Sequence, residues 1–288
     1  MSTSPSLGER AAMAIEACVR AYVRDFQGPM SRSDEENRRS VEKRLREEDA
    51  YSDQARHIEE LYPGLDRMRV LELGSGTGGN SVATALLGAE VHGVEPSVDG
   101  VEASRIRAAR YPQARVEFHV GVGERLPFAD GVFDLALSFA VFEHVQDQAR
   151  VAQEAFRVLR PGGMIHFEMP NYLFPREVHY RIWYPPLCPK PLGRLYARMR
   201  GRNPAFLDEL NYTTPGRVAR LFREAGFVDV RDLFRERSLA RIADPSLIHS
   251  PRMARWVGRL RRWKLAWPLR WLVSCGLYPD IHMAGRRP

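Results

Sequence analysis

A mostly parallel, doubly wound α/β sheet is the fold class the sequence predicts, and three observations predict it. Between Arg69 and Met169, short β-rich runs alternate with runs of helical spacing, the rhythm of strands joined through helices that cover both sheet faces. The stretch VLELGSGTGGNS, Val70 to Ser81, sets Gly74, Gly76 and Gly79 in the G-x-G-x-x-G spacing found where a strand turns into a helix and the backbone must approach a ligand. Finally, 288 residues with 44% hydrophobic content supply a sizeable core.

Residues 8–60 read as helices, broken at Gly28-Pro29, with SDEE (Ser33 to Glu36) as a capping box opening a charged run to Asp49. This run is most simply a solvated face. From Arg69, the strand candidates are RVLELG, EVHGVEP, RVEFHV, VFDLALSF and GMIHFEMP, and the helices between them GNSVATALLG, VDGVEASRIRAAR and DQARVAQEAFRVL. After Pro170 the rhythm breaks into a stretch rich in proline and aromatics, too apolar for a linker. Regularity returns at TTPGRVARLFREAGF, where Thr214 caps a helix, Pro215 fits its first position and Gly226 its stop. A sixth strand is expected near Phe227 to Phe234 and a seventh at DIHMAG. The expected organisation is a helical cap over residues 1–60 and one domain over 61–288, with insertions at 171–212, a substrate wall, and 236–276, a basic, tryptophan-rich lid.

Three cysteines, Cys18, Cys188 and Cys275, are odd in number and form no C-x-x-C pair, which argues against a disulfide framework and suits a reducing cytoplasm. Glu9 and Glu16 flank the first apolar patch, unlike a secretory signal, and no 18 consecutive residues are apolar, so neither export nor a spanning helix is expected. The formal charge of +7 favours acidic partners without choosing among nucleic acid, anionic lipid and phosphorylated substrates.

The neighbours of the glycine loop narrow its ligand. Glu72, two residues before Gly74, would repel a pyrophosphate but suits the ammonium of an amino-acid moiety. Glu95 ends the second strand, where a carboxylate accepts both hydroxyls of a ribose. Together with VHGVEPS, GERLPFADGVFDLALSFAVFEHV and EAFRVLRPGGMIHFEMPN, the loop resembles the motifs, in order, of the class I S-adenosylmethionine-dependent methyltransferases, particularly the small-molecule "type 11" group. The resemblance spans roughly 100 residues, the length of a few βα units. It implies a Rossmann-like, seven-stranded sheet whose last strand runs antiparallel beside the fifth, and S-adenosylmethionine as cofactor. It further implies cofactor contacts from Glu72, Gly74, Gly76, Gly78, Glu95, Pro96, Gly123 and Glu124. In many relatives an Asp after the third strand grips the adenine amino group; here Val122 stands there, with Glu124 two residues on as the substitute.

Two histidines are the catalytic candidates. His144, in FEHV after the fourth strand, lies where the resemblance places residues near the transferring methyl; its bland reading is a local hydrogen bond at the start of a helix. His179, in PREVHYRIWYPP with Glu177 and Tyr180 beside it, reads as part of the substrate wall or as a loop histidine anchoring backbone. Alignment of donor and acceptor supplies much of the acceleration of a methyl transfer, and a positioned His adds proton removal when the acceptor is a hydroxyl. No acid or His cluster has metal-ligand spacing along the chain, so no metal is expected.

Trp256, Leu260, Trp263, Trp267 and Trp271 follow helical spacing beside Arg255, Arg259 and Arg262, with Pro268 kinking or ending the helix. The segment reads as a lid packing its tryptophans on the domain, or as a peripheral contact with an anionic membrane surface. SFAVFEH lacks the Asn/Asp-Pro-Pro-aromatic grip of amino-methylating DNA enzymes, so no specific nucleic acid is expected. The expected function is methyl transfer to a small-molecule, glycan or lipid-linked acceptor, in the cytoplasm or at the inner face of its membrane. A nicotinamide-dependent oxidoreductase and a non-catalytic S-adenosylmethionine-binding scaffold are the alternatives.

Overall fold

The computed structural model describes residues 7–27, 34–248 and 250–288. The expected break at Gly28-Pro29 and the Ser33 cap lie outside them. In chain order come helices α1 (Leu7–Gln27), α2 (Asp34–Leu45) and α3 (Glu47–Leu61), then β1 (Arg69–Leu73), α4 (Gly79–Leu86), β2 (Glu90–Glu95), α5 (Val98–Ala108) and β3 (Arg115–Val120). They are followed by β4 (Phe133–Phe139), α6 (Gln148–Val158) and β5 (Leu159–Pro170). The insertion holds a hairpin, β6 (Arg176–Glu177) and β7 (Ile182–Trp183), with α7 (Lys190–Met199) and α8 (Phe206–Glu209). Last are α9 (Pro215–Glu224), β8 (Val228–Asp232), α10 (Leu233–Ala243), α11 (Pro251–Arg262), α12 (Trp267–Ser274) and β9 (Asp280–Arg286).

The main sheet has seven strands in the order β3-β2-β1-β4-β5-β9-β8, parallel through β5, with β9 antiparallel to both of its neighbours. The inner strands are buried on both faces, so Leu71, Leu73, Ala136 and Phe167 pack towards α6 and α9, while Val70, Leu135 and Leu137 pack towards Ile58 of α3 and Tyr62 just after it. The order reverses direction between β1 and β4, and a ligand crevice opens at the carboxyl ends of strands flanking such a point.

Local signals set several boundaries. Thr214 accepts a hydrogen bond from the Arg217 N–H and Gly226 follows α9 with φ +107°, as the sequence predicts. The sixth strand stops at Asp232 rather than Phe234, because the Asp232 carboxylate accepts from the N–H groups of Phe234 and Arg235 and starts α10 there.

The basic segment departs most from expectation. Pro268 sits in the first turn of α12 instead of kinking one long helix, and the chain turns before it, with Lys264 at φ +58°. Ile242, Ala266, Val273 and Tyr278 form the buried contact among these helices, whereas Trp256, Trp263, Trp267 and Trp271 are 51%, 64%, 67% and 58% exposed. The packed-tryptophan reading is therefore corrected: small aliphatic side chains dock the segment, and its tryptophans face outward.

Candidate functional site

A cavity of about 510 Å³, within the range of small-molecule sites, lies at the carboxyl ends of β1, β2 and β4. Its floor is the glycine loop. Gly74 and Gly76 line it with positive φ, 72° and 57°. The carboxylate of Glu95 braces the loop from the end of β2, accepting from the N–H of Gly76 at 3.0 Å and of Ser97 at 3.0 Å. Burial raises its pKa above the usual carboxylate value, and the two amide donors oppose that rise. Glu72 also lines the cavity; it accepts from Asn80 Nδ2 at 2.9 Å and from the Ser81 hydroxyl. Burial pushes its pKa up to about 7 against those hydrogen bonds.

Pro96, Gly123 and Glu124 line the same cavity, and Val122 presents an apolar surface between them. Glu124 Oε1 is committed to the N–H groups of Gln146 at 2.8 Å and Asp147 at 3.2 Å, so this oxygen anchors the loop before α6. Gly78, expected as a cofactor contact, is not among the residues that line the cavity. With φ +81° it ends the turn ahead of α4, and an added Cβ would stand 2.7 Å from the side chain of Ser104, so the position lets α4 and α5 approach each other.

Tyr22, Arg44, Glu47 and Tyr51, all from the helical cap, complete one wall and were not singled out from the sequence. Arg44 pairs with Glu47 at 2.9 Å and lies over the Tyr22 ring. Glu47 reaches the start of α4, where it accepts from the Thr77 hydroxyl, and a Cβ on Gly79 would overlap it. The third glycine of the motif therefore makes room for the cap, and a carboxylate occupies the helix N-terminus where a pyrophosphate would bind.

The residues fit S-adenosylmethionine. Ser75 Oγ and Asn80 Oδ1 are buried at the cavity without hydrogen-bond partners, and with Glu72 they offer acceptors for an ammonium. Glu95 keeps lone pairs for ribose hydroxyls, and Val122 with Gly123 offers a flat apolar face for adenine.

At the far end the turn after β4 carries Glu143 and His144, and the structure brings His179 of the insertion to them. His144 Nε2 lies 3.2 Å from His179 Nε2. The insertion is fastened to this turn by the Asn211 N–H on Glu143 O at 2.7 Å and by Asn211 Nδ2 on Val145 O at 2.6 Å. Glu177 holds His179 Nδ1 at 2.6 Å and also accepts from the Tyr180 N–H. Burial, with His179 beside it, pushes His144 down to about 3, so its imidazole is neutral at physiological pH. Burial pushes Glu143 up to about 7, opposed by His179. Glu143, His144 and His179 converge across 36 positions of sequence, a distance that no local spacing rule reads. Among the described residues, none of 236–276 lines the cavity.

Residues 71–167 match the family described as "Methyltransferase domain". A probable S-adenosylmethionine-dependent methyltransferase of Mycolicibacterium smegmatis is 36% identical over 141 residues, 49% of each chain. The chain spans about half the length of the curated relatives it matches. Phosphoethanolamine N-methyltransferase 2 of Haemonchus contortus, solved with S-adenosyl-L-methionine, shares the fold at TM-score 0.52 and 19% identity, over 82% of this chain and 52% of that one. A putative sarcosine dimethylglycine methyltransferase of Galdieria sulphuraria does so at 0.53 and 16%, over 94% and 98%. Residues 71–167 therefore carry a methyltransferase domain, set in a seven-stranded Rossmann-like sheet.

Proposed function

We propose that the protein transfers a methyl group from S-adenosylmethionine to a hydroxyl of a small-molecule, glycan or lipid-linked acceptor that approaches over His144 and His179. The observation that carries this reading is the continuity of the cavity, from the acids and glycines suited to the donor at one end to His144 at the other. The bound donor supplies an electrophilic methyl. This chain holds it with the glycine loop and Glu95, keeps water out with the cap, and meets the acceptor hydroxyl at the histidine pair. A nicotinamide cofactor fits worse, because Glu47 fills the helix end its pyrophosphate needs.

The test uses labelled donor with lipid and polysaccharide extracts. Label transfer that depends on the protein supports the reading; donor binding without transfer to any acceptor favours the scaffold. A His179→Ala variant is expected to keep its S-adenosylmethionine dissociation constant within about threefold, less than 1 kcal/mol, and to lose at least about tenfold in turnover. Intact turnover removes His179 from the acceptor site.

The same protein, we propose, rests on an anionic lipid surface through α11 and α12. Between Pro245 and Pro279 the chain carries six arginines, Lys264 and no acid, interleaved with the four exposed tryptophans, so charge and interfacial aromatics point to one occupant. The full chain is expected to sediment with vesicles of mixed phosphatidylcholine and phosphatidylglycerol but not with phosphatidylcholine alone. Converting Trp256, Trp263, Trp267 and Trp271 to alanine should cut binding at least about tenfold while donor affinity stays unchanged. Equal binding to neutral vesicles, or a tryptophan-dependent dimer in solution, overturns the proposal.

A further inference from the structure

Three groups of histidine and carboxylate side chains converge among the described residues. At the sheet edge, Glu117 beside His92 and His119 is 71% exposed and open to solvent. Between β5 and β9, the Glu168 carboxylate accepts from His166 at 3.0 Å, His282 at 3.1 Å and Gln54 at 3.3 Å, a closed network. Glu143, with His144 and His179, differs from both: it is fully buried and neither carboxylate oxygen has a hydrogen-bond partner. A carboxylate desolvated in this way needs a cation or a set of donors to persist.

From this geometry we infer that Glu143, His144 and His179 form a binding site for a divalent transition-metal ion of the zinc type, at the acceptor end of the cavity. The three facing atoms lie 3.2 Å (His144 Nε2 to His179 Nε2), 3.7 Å (His144 Nε2 to Glu143 Oε1) and 3.9 Å (His179 Nε2 to Glu143 Oε1) apart. The point equidistant from them in their plane is about 2.1 Å from each, the length of a zinc–nitrogen or zinc–carboxylate bond. Two imidazoles and one carboxylate select a borderline ion over magnesium or calcium, which prefer all-oxygen sets. Glu177 supplies what a ligating histidine usually has behind it: by accepting the Nδ1–H it leaves the Nε2 lone pair of His179 facing the site. Phe206 packs against both imidazole rings and is buried, which closes the site on that side.

Of the three residues His144 lines the cavity, so an open coordination position would be reached from there. The proposal rests on the methyl-transfer reading for the use of that position, though not for the site itself. A hydroxyl acceptor coordinating there gives up its O–H proton to solvent. Its oxygen lone pair forms the new O–CH3 bond, and the electron pair of the broken S–CH3 bond returns to sulfur.

The test is titration of the full chain, stripped with chelator, by Zn2+ in calorimetry and by Co2+ in visible absorption. One equivalent is expected to bind, with a visible cobalt spectrum of low-coordinate N/O type. His179→Ala and Glu143→Gln should each weaken binding at least 100-fold, and Glu177→Gln about tenfold. His92→Ala and His282→Ala should leave it unchanged. Retained S-adenosylmethionine binding in each variant, read by calorimetry, reports an intact fold and separates the failure of this site from failure of the donor site. Absence of stoichiometric uptake overturns the proposal, as does uptake lost in His92→Ala or His282→Ala but kept in His179→Ala.

Discussion

Replacing Gly76 by valine is expected to weaken S-adenosylmethionine binding at least 100-fold, about 2.7 kcal/mol, in a protein that still folds. The residue sits at φ +57°, a conformation that costs a β-branched side chain roughly 1–2 kcal/mol. Its first side-chain carbon would stand 3.4 Å from the Tyr22 hydroxyl and 3.6 Å from Arg44 Nη1, so the two further methyls of valine have only the cavity or the cap to enter. Either choice is harmful. Entering the cavity fills the space of the ligand, and entering the cap pushes Tyr22 and Arg44 away from the wall they form. The Gly76 N–H also donates to Glu95, so a shifted backbone disturbs that carboxylate. Calorimetric titration reads the affinity and far-ultraviolet circular dichroism the fold. Glu95→Ala is a milder companion, at about 1.5–3 kcal/mol for lost charge-assisted hydrogen bonds. Unchanged affinity in both variants would remove the site from this loop.

The strand–helix alternation and the glycine spacing were readable because both are local: a period of two against 3.6 residues, and a turn that only glycine makes. Thr214, Pro215 and Gly226 are legible for the same reason. Glu72 and Glu95 could be assigned roles from position alone, as strand ends in a doubly wound sheet converge on one crevice. What stayed hidden depends on packing between distant segments. Glu47 meets Thr77, and His179 meets His144, only because α3 closes over the loop and Asn211 fastens the insertion to the turn after β4. The tryptophans of α11 and α12 misled in the other direction. Helical spacing shows that apolar residues share a face, and it does not show whether that face meets protein or solvent.

Glu72 couples the donor site to pH, and the sign follows from its burial. Its carboxyl is raised to about 7 in the folded protein against about 4.3 in an unfolded chain, so between these values the folded state holds a proton that the unfolded state has lost. The contribution is fully present below pH 4 and is lost as pH rises through 7, on the order of 2–4 kcal/mol from this group. An ammonium placed beside Glu72 favours its ionised form and opposes the loss. Two results are expected. The ligand-free protein should melt at a lower temperature at pH 8 than at pH 6, by more than the Glu72→Gln variant does. S-adenosylmethionine should bind about tenfold more tightly at pH 8 than at pH 6, because the ionised fraction of a group titrating near 7 grows by about that factor. Binding should also release a proton, which calorimetry detects as a dependence of the heat on the ionisation enthalpy of the buffer. In Glu72→Gln the proton release and the pH dependence should both vanish, with affinity held at or below the low-pH value of the parent. A parent protein whose affinity is flat from pH 6 to 8 would mean that Glu72 does not face the ammonium. The acceptors on that wall would then be Asn80 Oδ1 and Ser75 Oγ alone.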